Sequence, residues 1–159
     1  MTQWSRYPLL LACITALVAF LLNQQITAPP EPIAPQTDRF SAYTAFDLLA
    51  RILGDESPHP TGSAANHRVR DELILILAEM GLTADIQRQW GCSTRASRCA
   101  WAENLIAEIP GTEPGPYLVL MAHYDSVPVA PGAGDDGAGV VAVLDTARRL
   151  INEPKLKWP

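Results

Sequence analysis

Residues 121–139, MAHYDSVPVAPGAGDDGAG, set a histidine, an aspartate two positions on, and an Asp-Asp pair ten positions later in a run that closes in glycines. A neutral imidazole and carboxylates are ligands that zinc accepts, and the two oxygens of one carboxylate can bridge two ions. His123 and Asp135 are therefore candidate metal ligands. Asp125, two residues from His123 on an extended backbone, points to the same side. There it can accept a hydrogen bond from the ring nitrogen turned away from the metal, which fixes the tautomer and strengthens the ligand. Asp136 adjoins Asp135, and carboxylates at a helix start are also favoured by the helix dipole. Plainer readings compete, since an H-x-D can be a satisfied structural pair and DDGAG an acidic helix cap. Their occurrence together, with an apolar run before and a helical pattern after, favours the metal.

The elements that would position these residues follow from periodicity. YLVLMA, residues 117–122, is a short apolar run bounded by PGP, and it predicts a buried strand with His123 and Asp125 at its carboxyl end. Ligands gather at that end of the strands in open α/β sheets. VVAVLDTARRL has helical spacing, with Val140, Val143, Leu144, Ala147 and Leu150 on one stripe. Upstream, residues 37–54 predict a helix with Phe40, Tyr43, Leu48 and Ile52 among its apolar positions and Gly54 as its stop. After the turn-rich SPHPTGS, Ser63 can cap a helix over 64–80 whose stripe is Val69, Leu73, Ile76, Leu77 and Met80. Residues 82–90 and 104–109 predict strands. His59 and His67 have no carboxylate at the H-x-D spacing, so they are read as structural or surface residues.

The N-terminus carries a different signal. Residues 8–22, PLLLACITALVAFLL, are uncharged, and Trp4, Tyr7 and Ile26 extend the apolar character toward the roughly 20 residues that cross a bilayer. Arg6 precedes the run and the next basic residue is Arg39, which predicts a cytoplasmic N-terminus with the body on the periplasmic, lumenal or extracellular side. A cleaved signal peptide is the rival reading, opposed by Pro29 just after the candidate cleavage site. The expected organisation is a cytoplasmic tip and membrane anchor over 1–27, an extended proline-rich linker over 28–36, and a folded region over 37–159. The net charge of -5, from 12 basic and 17 acidic residues, argues against a nucleic-acid partner.

Cys92 and Cys99 bracket six residues between two predicted strands, a separation that a hairpin can bridge. In an oxidising compartment they should form a disulfide. A zinc-binding pair is the alternative, although the remaining cysteine, Cys13, falls in the apolar segment.

HYDSVPVAPGAGDDGAGV closely resembles the zinc-binding segment of the family-28 di-zinc metallopeptidases, an aminopeptidase-like group. PHPTGSAANHRVRDEL resembles the segment that opens the peptidase region in the membrane-bound branch of that family, of endoplasmic-reticulum and vacuolar-membrane type. The resemblance runs from about residue 58 onward and implies a three-layer α/β fold, with helices flanking a mixed central β-sheet. It makes His123 a terminal ligand of one zinc, Asp135 the carboxylate bridging two, and Asp125 the acid that orients His123. Asp136 would follow Asp135 through a peptide bond that is often cis in this family and would stand behind the ligands. The family's Glu-Glu pair, whose first member is the general base, has no counterpart here, nor has its distal histidine. The chain is accordingly expected to be the N-terminal portion of a peptidase acting on peptides or proteins, truncated before its remaining ligands and inactive by itself. A glutaminyl cyclase-like zinc acyltransferase and a non-catalytic membrane-anchored binding module are the alternatives.

Overall fold

Ser41 and Ser63 start two helices by the same device. Each lies in extended backbone and accepts a hydrogen bond from the amide three residues on, Thr44 and Asn66 respectively, satisfying a donor that the first helical turn leaves free. The computed structural model describes residues 7–25, 40–94, 98–152 and 156–159. Its elements in chain order are α1 (Tyr7–Gln25), α2 (Ala42–Leu53), α3 (Ala64–Glu79), β1 (Asp85–Ser93), β2 (Arg98–Ile106), a single π turn (Ala133–Gly137) and α4 (Ala138–Asn152). The chain divides into two compact units, Met1–Glu31 and Pro32–Pro159. The linker expected over 28–36 lies outside the described residues.

The first unit contains α1, whose described side chains are all exposed. Among the described residues no helix is long and apolar enough to cross a membrane, so the expected span is not found among them. The reason is length. The uncharged apolar run stops at Leu22, before Asn23, Gln24 and Gln25, and fifteen residues rise about 22 Å against a hydrocarbon core of about 30 Å. Arg6, Arg39 and Ile26, which entered the span and orientation arguments, lie outside the described residues.

The second unit is built on three helices. Ile52 of α2, Val69, Leu73, Ile76 and Leu77 of α3, and Val140, Val141 and Leu144 of α4 form one buried cluster. The α3 stripe is the one its periodicity predicts, with Met80 partly buried beside it. α2 begins later than expected, at Ala42, and turns Phe40 and Tyr43 to the surface. On α4, Val140 and Leu144 of the expected stripe are buried together with Val141 and Asp145, while Val143, Ala147 and Leu150 are partly buried. Asp145 is buried because Arg148 and Arg149, one turn on, reach back to its two oxygens at 2.6 and 3.0 Å. Arg51 of α2 joins Glu72 and Glu79 of α3 across the surface, and these hydrogen bonds hold its guanidinium pKa above the ordinary value.

β1 and β2 form an antiparallel hairpin with Cys92 directly opposite Cys99, and the two are disulfide-bonded. Two rungs away Trp90 faces Trp101 edge to face, with Arg88 over the Trp101 ring. The described sheet is this two-stranded hairpin, so the expected mixed central sheet is not formed among the described residues. Residues 117–122 are likewise not a paired strand: Leu118, Val119 and Met121 are exposed. An apolar run becomes a strand only when another strand takes up its amides and carbonyls. Nearby amides are engaged by residues 156–159 instead, with Thr112 donating to Leu156 at 2.9 Å, Glu113 to Lys157 at 2.8 Å and Leu118 to Pro159 at 3.4 Å. Trp158 lies directly on Gly111 and Gly115, where any side chain would collide with it.

The core makes a direct forecast. Ile76→Ala, at a position 2% exposed, should destabilise the chain by about 2–5 kcal/mol. Leu75→Ala on the exposed side of the same helix should stay within about 0.5 kcal/mol. Urea unfolding in mild detergent distinguishes them, and equal effects would mean that α3 does not pack as described.

Candidate metal centre

The segment carrying His123 is fixed on both sides of the histidine before any ligand chemistry begins. Ala122 and Tyr124 pack against the helical core, and the Tyr124 hydroxyl donates to the backbone oxygen of Glu103 on β2 at 2.5 Å. Burial, with the Glu103 carboxylate nearby, raises the Tyr124 pKa. Because side chains alternate along an extended backbone, a Tyr124 turned toward β2 leaves His123 and Asp125 together on the other side. Ser126 is buried and exchanges two hydrogen bonds with His59: its amide donates to the His59 carbonyl at 3.2 Å and its Oγ accepts from the His59 amide at 2.8 Å. The His59 ring lies inside the fold with Nδ1 3.1 Å from the Ser57 carbonyl oxygen. His67 sits half-buried on α3.

The acidic pair comes from the turn before α4. Asp135 and Asp136 have non-helical backbone angles within the π turn, and the peptide bond between them is cis. Their side chains part. The Asp136 carboxylate lies over Gly139, in the first turn of α4, so close that any residue larger than glycine there would overlap it. At that place its charge faces the positive end of the helix. Asp135 instead reaches His123, with Oδ1 3.0 Å from Nε2.

The two ring nitrogens of His123 are thereby given different tasks. Nδ1 faces Asp125, 3.1 Å from its carbonyl oxygen and 3.2 Å from Oδ1. Both are acceptors, and so is the Asp135 Oδ1 beside Nε2, so the free ring is best satisfied with a proton on each nitrogen, and a cation at Nε2 would leave the remaining proton on Nδ1. With the proton on Nδ1 alone, Nε2 turns its lone pair toward a carboxylate oxygen. Two lone pairs at that separation repel unless a cation or a proton lies between them. Partial burial of the ring lowers its pKa, but the Asp135 carboxylate, the Asp125 carbonyl and the charges of both acids outweigh it, so the His123 pKa stands above 6.5.

A metal ion fits the same place. With bonds of about 2.0–2.1 Å, two ligands of a tetrahedral zinc lie roughly 3.3 Å apart, and Nε2 and Oδ1 need to separate only slightly to admit one. The Asp135 side chain is 88% exposed, which leaves its second oxygen open. The pair is two ligands and no more: among the described residues no group of three or more His, Cys, Asp or Glu gathers in a way that could hold a metal. Sequence reasoning missed two residues here, Ser126 and Thr61, whose Oγ1 donates to Asp125 Oδ2 at 2.6 Å. Their hydroxyls are visible in PHPTGS and HYDS, but a partnership between residues 64 positions apart leaves no periodic trace.

Residues 104–157, which include His123, Asp125, Asp135 and Asp136, match the model of peptidase family M28. A vacuolar membrane protease of Coprinopsis cinerea is 29% identical over 157 residues, covering 82% of this chain. A protein of Mycobacterium tuberculosis named as a probable lipoprotein aminopeptidase is 30% identical over 127 residues, 77% of this chain. The chain spans 15% and 25% of the lengths of these two relatives. Among solved structures, the glutaminyl cyclase of Porphyromonas gingivalis superposes with a TM-score of 0.61 at 28% identity, over 75% of this chain and 42% of that one. The matched segment and the mixture of helices and strands place the chain among the metallopeptidases. The chain belongs to peptidase family M28.

The charge balance at His123 gives a pH prediction. Its imidazole should titrate above the ordinary 6.5, and Asp135→Asn should lower the midpoint. Because the folded pKa is the raised one, the linked stabilisation is fully present below the unfolded value and is lost as pH rises through the folded value. Nitrogen-detected NMR of His123 reads this directly, and a midpoint unmoved by Asp135→Asn would contradict the contact.

Proposed function

We propose that the chain is part of a zinc-dependent peptidase, most closely an aminopeptidase, in which His123 and Asp135 hold metal and Asp125 orients His123. The observation that carries this reading is the convergence of His123 Nε2 and Asp135 Oδ1 at 3.0 Å while Asp125 occupies Nδ1. Bound zinc supplies a Lewis acid for the scissile carbonyl and a water of lowered pKa. Asp125 keeps the Nδ1 proton in place, so Nε2 remains a donor of electrons. Asp135 offers one oxygen beside His123 and keeps the other free for a second ion. Asp136, held over the start of α4, steadies the turn that presents Asp135. The proton acceptor for the attacking water is not among these residues, since the 159 residues contain no Glu-Glu pair. Peptides or proteins with a free N-terminus are the substrates this reading implies.

A longer polypeptide of the same gene, spanning the length of the family's catalytic region, is the material for the test. It should carry zinc and release N-terminal residues, and His123→Ala or Asp135→Ala should abolish both. Asp125→Asn should weaken zinc binding about 10- to 100-fold. The 159-residue chain alone should bind zinc weakly and hydrolyse nothing. Peptide hydrolysis that persists in His123→Ala would end the proposal. The superposition on a glutaminyl cyclase supports one second reading, a single-zinc acyl transfer within an N-terminal glutamine. Cyclised product from a glutaminyl peptide, without cleavage of other peptides, would select it.

α1 is assigned by the same reading to membrane attachment, with the body on the periplasmic, lumenal or extracellular side. Its uncharged exposed run supports this, as do relatives named for a vacuolar membrane. In sealed vesicles, protease added on the cytoplasmic face should spare the body. Digestion of the body would overturn the orientation, and release of the intact chain by carbonate would overturn the attachment.

A further inference from the structure

We infer that Thr61 is a positioning residue for the candidate centre, its hydroxyl holding the Asp125 carboxylate in the rotation that presents Oδ1 to His123. Thr61 Oγ1 donates to Asp125 Oδ2 at 2.6 Å, and Oδ1 lies 3.2 Å from His123 Nδ1, so each carboxylate oxygen has one partner. A carboxylate 40% exposed would otherwise turn freely among water molecules. Rotating it away from His123 now breaks a short hydrogen bond to a charged acceptor, which is among the stronger kinds.

Thr61 is itself held in place. His59, two residues before it, is bonded twice to Ser126, one residue beyond Asp125. On the other side the Gly62 amide donates to Asn66 Oδ1 at 3.2 Å and Ser63 caps α3. The turn that starts α3 thus also braces the acid behind the candidate ligand. The effect is indirect: Thr61 reaches no metal, and it acts through Asp125 on the choice of His123 tautomer.

The inference rests on the metal reading only for its consequence in zinc affinity, and the test separates the two. Thr61→Val keeps the shape and removes the hydroxyl, while Thr61→Ser keeps the hydroxyl. In the zinc-free chain, held at a pH well above the His123 titration, nitrogen-15 shifts give the neutral tautomer populations. The fraction with the proton on Nδ1 should be the same in the native chain and Thr61→Ser, and Thr61→Val should move a measurable part of it to Nε2. Zinc affinity by dye competition should fall about 3- to 10-fold in Thr61→Val and stay within about twofold in Thr61→Ser. Thr61 is exposed, so folding should survive. Thr61→Ala removes the same hydroxyl and serves if the valine variant does not fold. A native tautomer distribution in the hydroxyl-less variants would overturn the inference. Absence of zinc binding in the native chain would instead overturn the metal reading, with the tautomer result still deciding on Thr61.

Discussion

An imidazole binds a cation only through the nitrogen that carries no proton, so the partner of the other nitrogen decides whether a histidine is a ligand. In this chain that partner is Asp125, whose carbonyl and carboxylate oxygens both face His123 Nδ1. Everything else about the site follows from that orientation. Nε2 is left facing Asp135 Oδ1 at 3.0 Å, a separation at which two electron-rich atoms need positive charge between them. A proton can meet the need in the free chain, and the Asp135 and Asp125 contacts accordingly raise the His123 pKa. A metal ion would meet it by displacing that proton, so metal binding and protonation compete for one position.

Such an arrangement holds only if its parts are brought together rigidly, and here they come from distant stretches of chain. The buried cluster of α2, α3 and α4 fixes the start of α4, and with it the turn that carries Asp135 and Asp136. Tyr124, bonded to β2, and Ser126, bonded to His59, pin the backbone on either side of Asp125. Little of this is hydrophobic at the site itself. His123 and Asp135 are largely exposed, and their precision is inherited from apolar contacts on the far side of the segment.

Local signals in the sequence were read well and non-local ones were not. Ser63, Gly54 and the Val69 to Leu77 stripe marked helix ends and a buried face, because caps and a 3.6-residue period are properties of neighbours in the chain. His123 and Asp135 could be named as a pair, and they do meet. The run at 117–122 misled because apolar β-formers state a preference, whereas a strand needs a partner that residues 112–118 find only in backbone contacts to 156–159. On α4 the buried Asp145 could not be foreseen from hydropathy, which takes no account of two arginines one turn away neutralising a carboxylate. Thr61 stayed hidden for a similar reason. A threonine in a turn has many possible partners, and only the folded chain shows that Asp125 is the one.

The relatives that match this chain are several times its length. What the present residues must do unaided is take up a cation between one imidazole and one carboxylate. X-ray absorption at the zinc edge, on the zinc-loaded chain and its His123→Ala variant, reads that directly. The account predicts a nitrogen and oxygen shell at about 2.0–2.1 Å, with outer-shell imidazole scattering that disappears in the variant. A sulfur shell near 2.3 Å, or imidazole scattering unchanged by loss of His123, would contradict it.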